Sequence, residues 1–170
     1  MDAANFKLQF LPCHPKLYRV AFRLMGNARD AEDMVQEAYL KLWNKRDELT
    51  NVVNTEAYCV TLIKNLCYDA LRKTQPDEDG RAPEELNLST DINIAREVEQ
   101  RDEVNQVRQL ISRLPAQQRR VILLRDVNDC SFEDIEKATG LNAINIRVLL
   151  SRARKKIREQ FNEIMNYESK

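Results

Sequence analysis

The sequence predicts an all-α protein made of two small helical domains, and three observations carry that prediction. Only three glycines and five prolines interrupt 170 residues rich in Leu, Ala, Glu and Arg. Apolar residues recur at three- and four-residue steps through most of the chain, the period of a helix with one buried side. The stretch SFEDIEKATGLNAINIRVLLSRARKKIR, from Ser131 to Arg158, reads as two helices joined by a tight turn, the second densely basic. A net charge of zero hides a division of the chain. Residues 1–73 carry 11 basic and 9 acidic side chains, residues 74–103 carry 3 and 10, and residues 104–170 carry 13 and 8. A mildly basic domain, an acidic link and a more basic domain follow one another.

Taken in order, Leu17, Val20, Ala21, Leu24 and Met25 follow helical spacing, and Gly26 with Asn27 supplies a stop before a new start at Asp30. The helix from Asp30 to Trp43 is more regular. Its Ala31, Met34, Val35, Ala38, Tyr39, Leu42 and Trp43 form an uninterrupted stripe, the mark of a core seam. The polar and β-branched loop DELTNVVN precedes a third helix from Thr55 to Lys73, expected to bury Cys59, Leu62, Ile63, Leu66, Cys67 and Ala70. Residues 74–91 combine two prolines, one glycine and a run of acids with little apolar periodicity, which predicts a flexible linker. Acidic composition continues to residue 103. Helical patterning resumes with Val104, Val107, Leu110 and Ile111, so the second domain is expected over 104–170. Pro115 suits a first helical position, and Val121, Ile122 and Leu124 form another short helix.

Ser131 and Asp134 have the form of a capping box, with Asp where Glu or Gln is stronger. Ile135 and Ala138 give the short helix its apolar side. Gly140 suits the left-handed residue that ends a helix, Leu141 is expected as a buried turn residue, and Asn142 can accept a backbone N–H and start the next helix. On that next helix Ile146, Leu149, Leu150, Ala153 and Ile157 share one side, and Arg147, Ser151, Arg154, Lys155 and Arg158 another. A helix-turn-helix of this kind can lie in a major groove, its first turns at base edges and its later cations on phosphates. A solvated amphipathic helix has the same charge pattern; agreement of cap, turn and charge favours the DNA reading.

Two further faces stand out. Opposite the apolar stripe of the Asp30 to Trp43 helix sit Asp33, Gln36, Glu37 and Leu40, readable as an ordinary solvated face or as a contact face for another protein. On the third helix Thr61, Lys64, Asn65, Tyr68 and Arg72 line the polar side with Asp69 beside them. A ring and two cations suit an unpaired nucleic-acid strand, and equally an ordinary surface helix.

Composition also excludes. No segment approaches the roughly 20 apolar residues of a membrane span, and the N-terminus lacks the pattern of a secretory signal, so a soluble, cytoplasmic protein without membrane insertion is expected. Cys13, Cys59, Cys67 and Cys130 lack metal-ligand spacing and are expected as small buried hydrophobes rather than redox or zinc residues. Cys13 beside His14, the single histidine, makes a poor metal site. No Gly-rich phosphate loop, nucleophile elbow or metal-spaced set of His and carboxylates appears, so neither a catalytic residue nor a cofactor is expected.

Together DAEDMVQEAYLKLW (Asp30 to Trp43), NTEAYCVTLIKNLCYDALRK (Asn54 to Lys73) and LPAQQRRVILLRDVNDCSFEDIEKATGLNAINIRVLLSRARKKI (Leu114 to Ile157) resemble the extracytoplasmic-function sigma factors of bacterial RNA polymerase, over nearly the whole chain and in the right order. The resemblance implies a region 2 domain at the N-terminus and a region 4 domain at the C-terminus. It assigns Asp33, Gln36, Glu37 and Leu40 to the clamp helices of the polymerase β′ subunit, and region 4 to the β flap. It implies minus-10 melting by the third helix and the loop before it, with Asn65 and Asp69 near a flipped base and Lys64, Tyr68 and Arg72 on the strand. On the minus-35 duplex it gives Arg147, Val148, Ser151 and Arg152 the base-proximal positions, and Arg125, Arg154 and Lys155 the phosphates. An anti-sigma factor is implied as a further partner. Some residues depart from the family pattern. Tyr58 replaces a common Trp, the turn before the last helix lacks the usual Pro and Gly, and Val148 and Leu149 stand where Ser or Thr and Arg are frequent. Fewer polar groups then face the groove, and readout is expected to lean on thymine methyls or on groove shape. A DNA-binding regulator that works without polymerase needs only residues 104–170, and a helical adaptor accounts only for the first domain.

Overall fold

The computed structural model describes residues 1–74 and 97–168, and among them every regular element is helical. The chain divides into two compact units, Met1–Lys73 and Thr74–Lys170. Most of the stretch expected as an acidic flexible linker lies outside the described residues.

The first unit opens with α1 (Ala3–Phe10), whose start is capped by the Asp2 carboxylate accepting from the Asn5 N–H at 2.8 Å. Periodicity does not foretell this helix. A 3₁₀ turn, Leu11–Cys13, leads into α2 (His14–Met25), with Pro15 in its first turn and Gly26 ending it at φ 84°. α3 (Ala28–Asn44) starts two residues before the expected Asp30, because Asn27 both follows the stop and caps the next helix. Its side-chain oxygen accepts from the Asp30 N–H at 2.8 Å, while its amide donates to the Asp30 carboxylate at 2.8 Å. After tight turns, Asn54 caps α4 (Thr55–Lys73) by accepting from the Ala57 N–H at 3.0 Å.

The seam read from the sequence is the core: Ala31, Val35, Ala38 and Leu42 of α3 meet Leu17 and Ala21 of α2 and Cys59, Ile63 and Cys67 of α4. Met34, Tyr39, Trp43, Leu62 and Ala70, also expected inside, are only half-buried. Two of them have a visible use there. The Tyr39 hydroxyl donates to the Phe10 carbonyl at 3.1 Å, and Trp43 meets Phe6 edge-on at 5.0 Å, so both tie α3 to α1. A fully buried Leu, Ile or Val contributes about 1.5–3 kcal/mol, so this seam holds the three longer helices without any crosslink. All four cysteines are free and buried. Burial pushes the Cys59 thiol up to about 12, with Cys13 beside it adding to the rise, and burial likewise pushes Cys67 up to about 12. Neutral thiols of this kind pack as hydrophobes.

The second unit begins with α5 (Glu97–Ser112), which starts inside the segment expected as linker. Pro115 precedes α6 (Ala116–Ile122) as its extended cap rather than standing at its first helical position. Arg119, only 8 % exposed, donates to the Ser112 carbonyl at 3.2 Å and closes this corner. α6 runs into a π-helical turn, Leu123–Val127, in which the Asn128 N–H reaches back five residues to the Leu123 carbonyl at 3.0 Å. α7 (Phe132–Thr139) and α8 (Ala143–Glu168) complete the unit. Leu110, Ile111, Leu114, Val121, Ile122, Leu124, Cys130, Ile135, Ala138, Ile146, Leu150 and Ala153 are buried apolar residues of this unit.

Candidate nucleic-acid interface

The turn between α7 and α8 is fixed by its chemistry. Ser131 accepts from the Asp134 N–H at 3.1 Å to start α7, and Gly140 at φ 74° ends it with its N–H on the Glu136 carbonyl at 2.8 Å. The Thr139 hydroxyl donates to the Ile135 carbonyl at 2.6 Å and accepts from the Leu141 N–H at 3.2 Å. Leu141 is half-buried. Asn142 then accepts from the Asn145 N–H at 2.8 Å, so α8 starts at a defined residue and its outward face has a defined rotation. Ile146, Leu150 and Ala153 point inward, and Arg147, Val148, Ser151, Arg152, Arg154 and Lys155 are exposed.

Several of those cations have partners. Arg154 grips Asp126 with two hydrogen bonds, Nη2 to Oδ1 at 2.7 Å and Nε to Oδ2 at 2.9 Å. The hydrogen bond to this carboxylate raises the Arg154 pKa further above its ordinary value. Arg125 is half-buried, donates to the Cys130 carbonyl at 2.8 Å and lies 4.7 Å over the Phe132 ring. Arg147 lies 5.3 Å from the same ring. Phe132 thus holds two guanidinium groups, and it lines a shallow groove with Arg147, Leu150, Ser151, Arg154 and Arg158. Lys155 reaches Glu159 only at 4.0 Å and is the looser cation. Neither Asp126 nor Phe132 is singled out by the sequence. Asp126 lies 28 residues from Arg154, beyond any local spacing rule. Phe132 could have been noticed as a bulky apolar residue directly after a cap, one turn before Ile135 at the edge of the apolar side.

In the first unit, Asp33, Gln36 and Glu37 are exposed on α3, and Leu40 is 64 % exposed among them. On α4, Lys64, Asn65, Asp69 and Arg72 are exposed together. Tyr68, expected as a stacking ring, is 2 % exposed in this structure. Its helical position lies away from the seam and it is not part of the core cluster, which is why periodicity alone placed it outside. In the loop before α4, Val53 is fully exposed. Among the described residues no group of three or more His, Cys, Asp or Glu side chains could hold a metal, and no helix is long and apolar enough to cross a membrane.

A family model described as Sigma-70 region 2 matches residues 10–76, and a second, described as Sigma-70, region 4, matches residues 105–157. One chain therefore carries two regions of a sigma-70 factor, in order. It is 26 % identical to the ECF RNA polymerase sigma factor SigW of Bacillus subtilis, over 88 % of this chain and 84 % of that one. It is 29 % identical to the ECF RNA polymerase sigma factor EcfG of Rhodopseudomonas palustris, over 84 % of this chain and 77 % of that one. It is 30 % identical to the ECF RNA polymerase sigma factor SigJ of Mycobacterium tuberculosis, over 89 % of this chain but 50 % of that longer one. The chain belongs to the extracytoplasmic-function group of RNA polymerase sigma factors.

Proposed function

We propose that this chain binds core RNA polymerase through the exposed face of α3 and carries it to a particular set of promoters. In this reading Asp33, Gln36, Glu37 and Leu40 meet the β′ clamp helices, and the second unit meets the β flap. Lys64, Asn65, Asp69 and Arg72 engage the unpaired minus-10 strand. Arg147, Val148, Ser151 and Arg152 face base edges of the minus-35 duplex, with Arg125, Arg154 and Lys155 toward phosphates. The observation that carries the proposal is the pairing, on one chain of this family, of a capped helix-turn-helix whose second helix is cationic outward with a separate helical unit that leaves an apolar Leu exposed among acids. A regulator acting without polymerase has no use for the second of these.

The chain's own part is positional. It neutralises, orients and holds strands apart, while bond formation belongs to the polymerase; its place is then the cytoplasm, with an anti-sigma factor as the further partner the family implies. Reconstitution of the full chain with core polymerase, followed by sequencing of transcript 5′ ends from genomic DNA, tests this. Starts that share two upstream elements at fixed spacing are expected. Failure to form a holoenzyme, or starts no different from those of core polymerase alone, would remove the proposal.

A further inference from the structure

α8 carries two apolar side chains that the fold does not use. Ile144 is 71 % exposed and Val148 is 41 % exposed. Asn142 caps this helix, so Ile144 stands at its second residue and Val148 one turn later. With Ser151 they run up the middle of the outward face, opposite buried Ile146, Leu150 and Ala153, and Arg147 and Arg152 flank them. Single exposed apolar residues are common on protein surfaces. Two stacked at the centre of the first turns of a helix-turn-helix recognition helix occupy the positions that meet base edges.

The major-groove edge of a base pair offers polar atoms at every position and one apolar group, the C5-methyl of thymine. A branched aliphatic side chain against a polar edge strips water from an acceptor or donor without replacing its hydrogen bond. Against a methyl group it loses nothing polar and buries apolar area on both sides. Polar readout in this face falls to Ser151, one turn further along, and to Arg147 and Arg152 at its flanks.

We propose that Ile144 and Val148 form an apolar ridge that reads thymine C5-methyl groups at adjacent steps of the minus-35 duplex, making Ile144 a specificity-determining residue of this chain. The proposal rests on the reading of α8 as a major-groove helix, and it decides between methyl contact and groove shape.

Deoxyuridine differs from thymidine by that methyl alone and leaves every hydrogen bond of the pair intact, so it tests the contact directly. Holoenzyme made with the full chain is used to select duplexes from a pool randomised across the minus-35 segment. Each thymine of the enriched element is then replaced singly by deoxyuridine. At one or two adjacent thymines the wild type should lose on the order of fourfold in affinity per methyl, the scale of one buried carbon. Holoenzyme carrying Ile144→Ser and Val148→Ser should bind the thymine duplex more weakly and show no difference between the two bases. Both side chains lie outside the core, and circular dichroism matching the wild type checks that the fold is kept. Equal wild-type affinity for both duplexes, a methyl effect undiminished in the double variant, or an enriched element without an A·T pair overturns the proposal while leaving promoter recognition standing. No enrichment of any element overturns the major-groove reading itself.

Discussion

Asp126 is the residue with the clearest cost to DNA binding. It presents a carboxylate on the side of the second unit where α8 turns its cations outward, and it takes two donors of Arg154 at 2.7 and 2.9 Å. Such a half-exposed pair stabilises a fold by about 0–1 kcal/mol. Its effect on a polyanion is larger, because an approaching phosphate must compete with Asp126 for the guanidinium and also meets its charge. Asp126→Asn should therefore leave thermal stability within about 1 kcal/mol of wild type. It should tighten holoenzyme binding to specific and nonspecific duplexes alike, and steepen the dependence of log affinity on log salt by about one unit. Titrations across a salt series measure this; an unchanged slope, or weaker binding, would mean that Asp126 serves only to orient Arg154. Such pairings mark the limit of a sequence reading at this scale. The exposure of Asp33, Lys64 or Ser151 follows from helical position, whereas the Arg154 partner lies 28 residues away and depends on where chain segments distant in sequence come to lie.

At the scale of elements, legibility follows how many independent signals an element carries. α3 has seven apolar residues at unbroken helical spacing, and the α7–α8 turn has a cap, a left-handed glycine and a second cap within twelve residues of sequence. Both were readable. α1 buries only Phe6 and Phe10 and leaves Leu8 78 % exposed, so its apolar residues mark no single face. The π turn after α6 inserts a five-residue hydrogen bond that no residue type announces, yet it carries Arg125 and Asp126. The exposed side of α3 yields a prediction of its own. Asp33→Arg with Glu37→Arg changes solvated positions off the seam, so stability should stay within about 0.5 kcal/mol. In an interface that accepts carboxylates, two reversed charges cost several kcal/mol, and the double variant should fail to copurify with core polymerase. Wild-type recovery of that variant would remove this face from the polymerase contact.

For the molecule as a whole, 27 basic and 27 acidic side chains cancel, so the free chain has no general attraction to DNA. Ten acidic against three basic residues over 74–103 place a source of competing charge in the sequence between the two regions proposed to contact DNA. Free protein should therefore bind promoter duplex poorly and gain affinity when core polymerase is added. The two units should then differ in the state of DNA they require. Lys64, Asn65, Asp69 and Arg72 offer short polar groups and cations, which suits hydrogen bonding to bases already out of the stack. α8 offers a face shaped for an intact groove. On a promoter premelted across the minus-10 element, Asn65→Ala should still weaken holoenzyme binding, since the contacts it loses are to exposed bases rather than to the cost of melting. Arg147→Ala and Arg152→Ala should instead be felt on a duplex holding the minus-35 element alone, each by about 1–3 kcal/mol. Lys155→Ala should weaken specific and nonspecific duplexes about equally, because a phosphate contact carries no sequence information. Measuring each variant on both probes separates the two states. Tight sequence-specific binding of the free chain to duplex, indifferent to Asn65→Ala and to added core polymerase, would be the behaviour of a regulator that works alone.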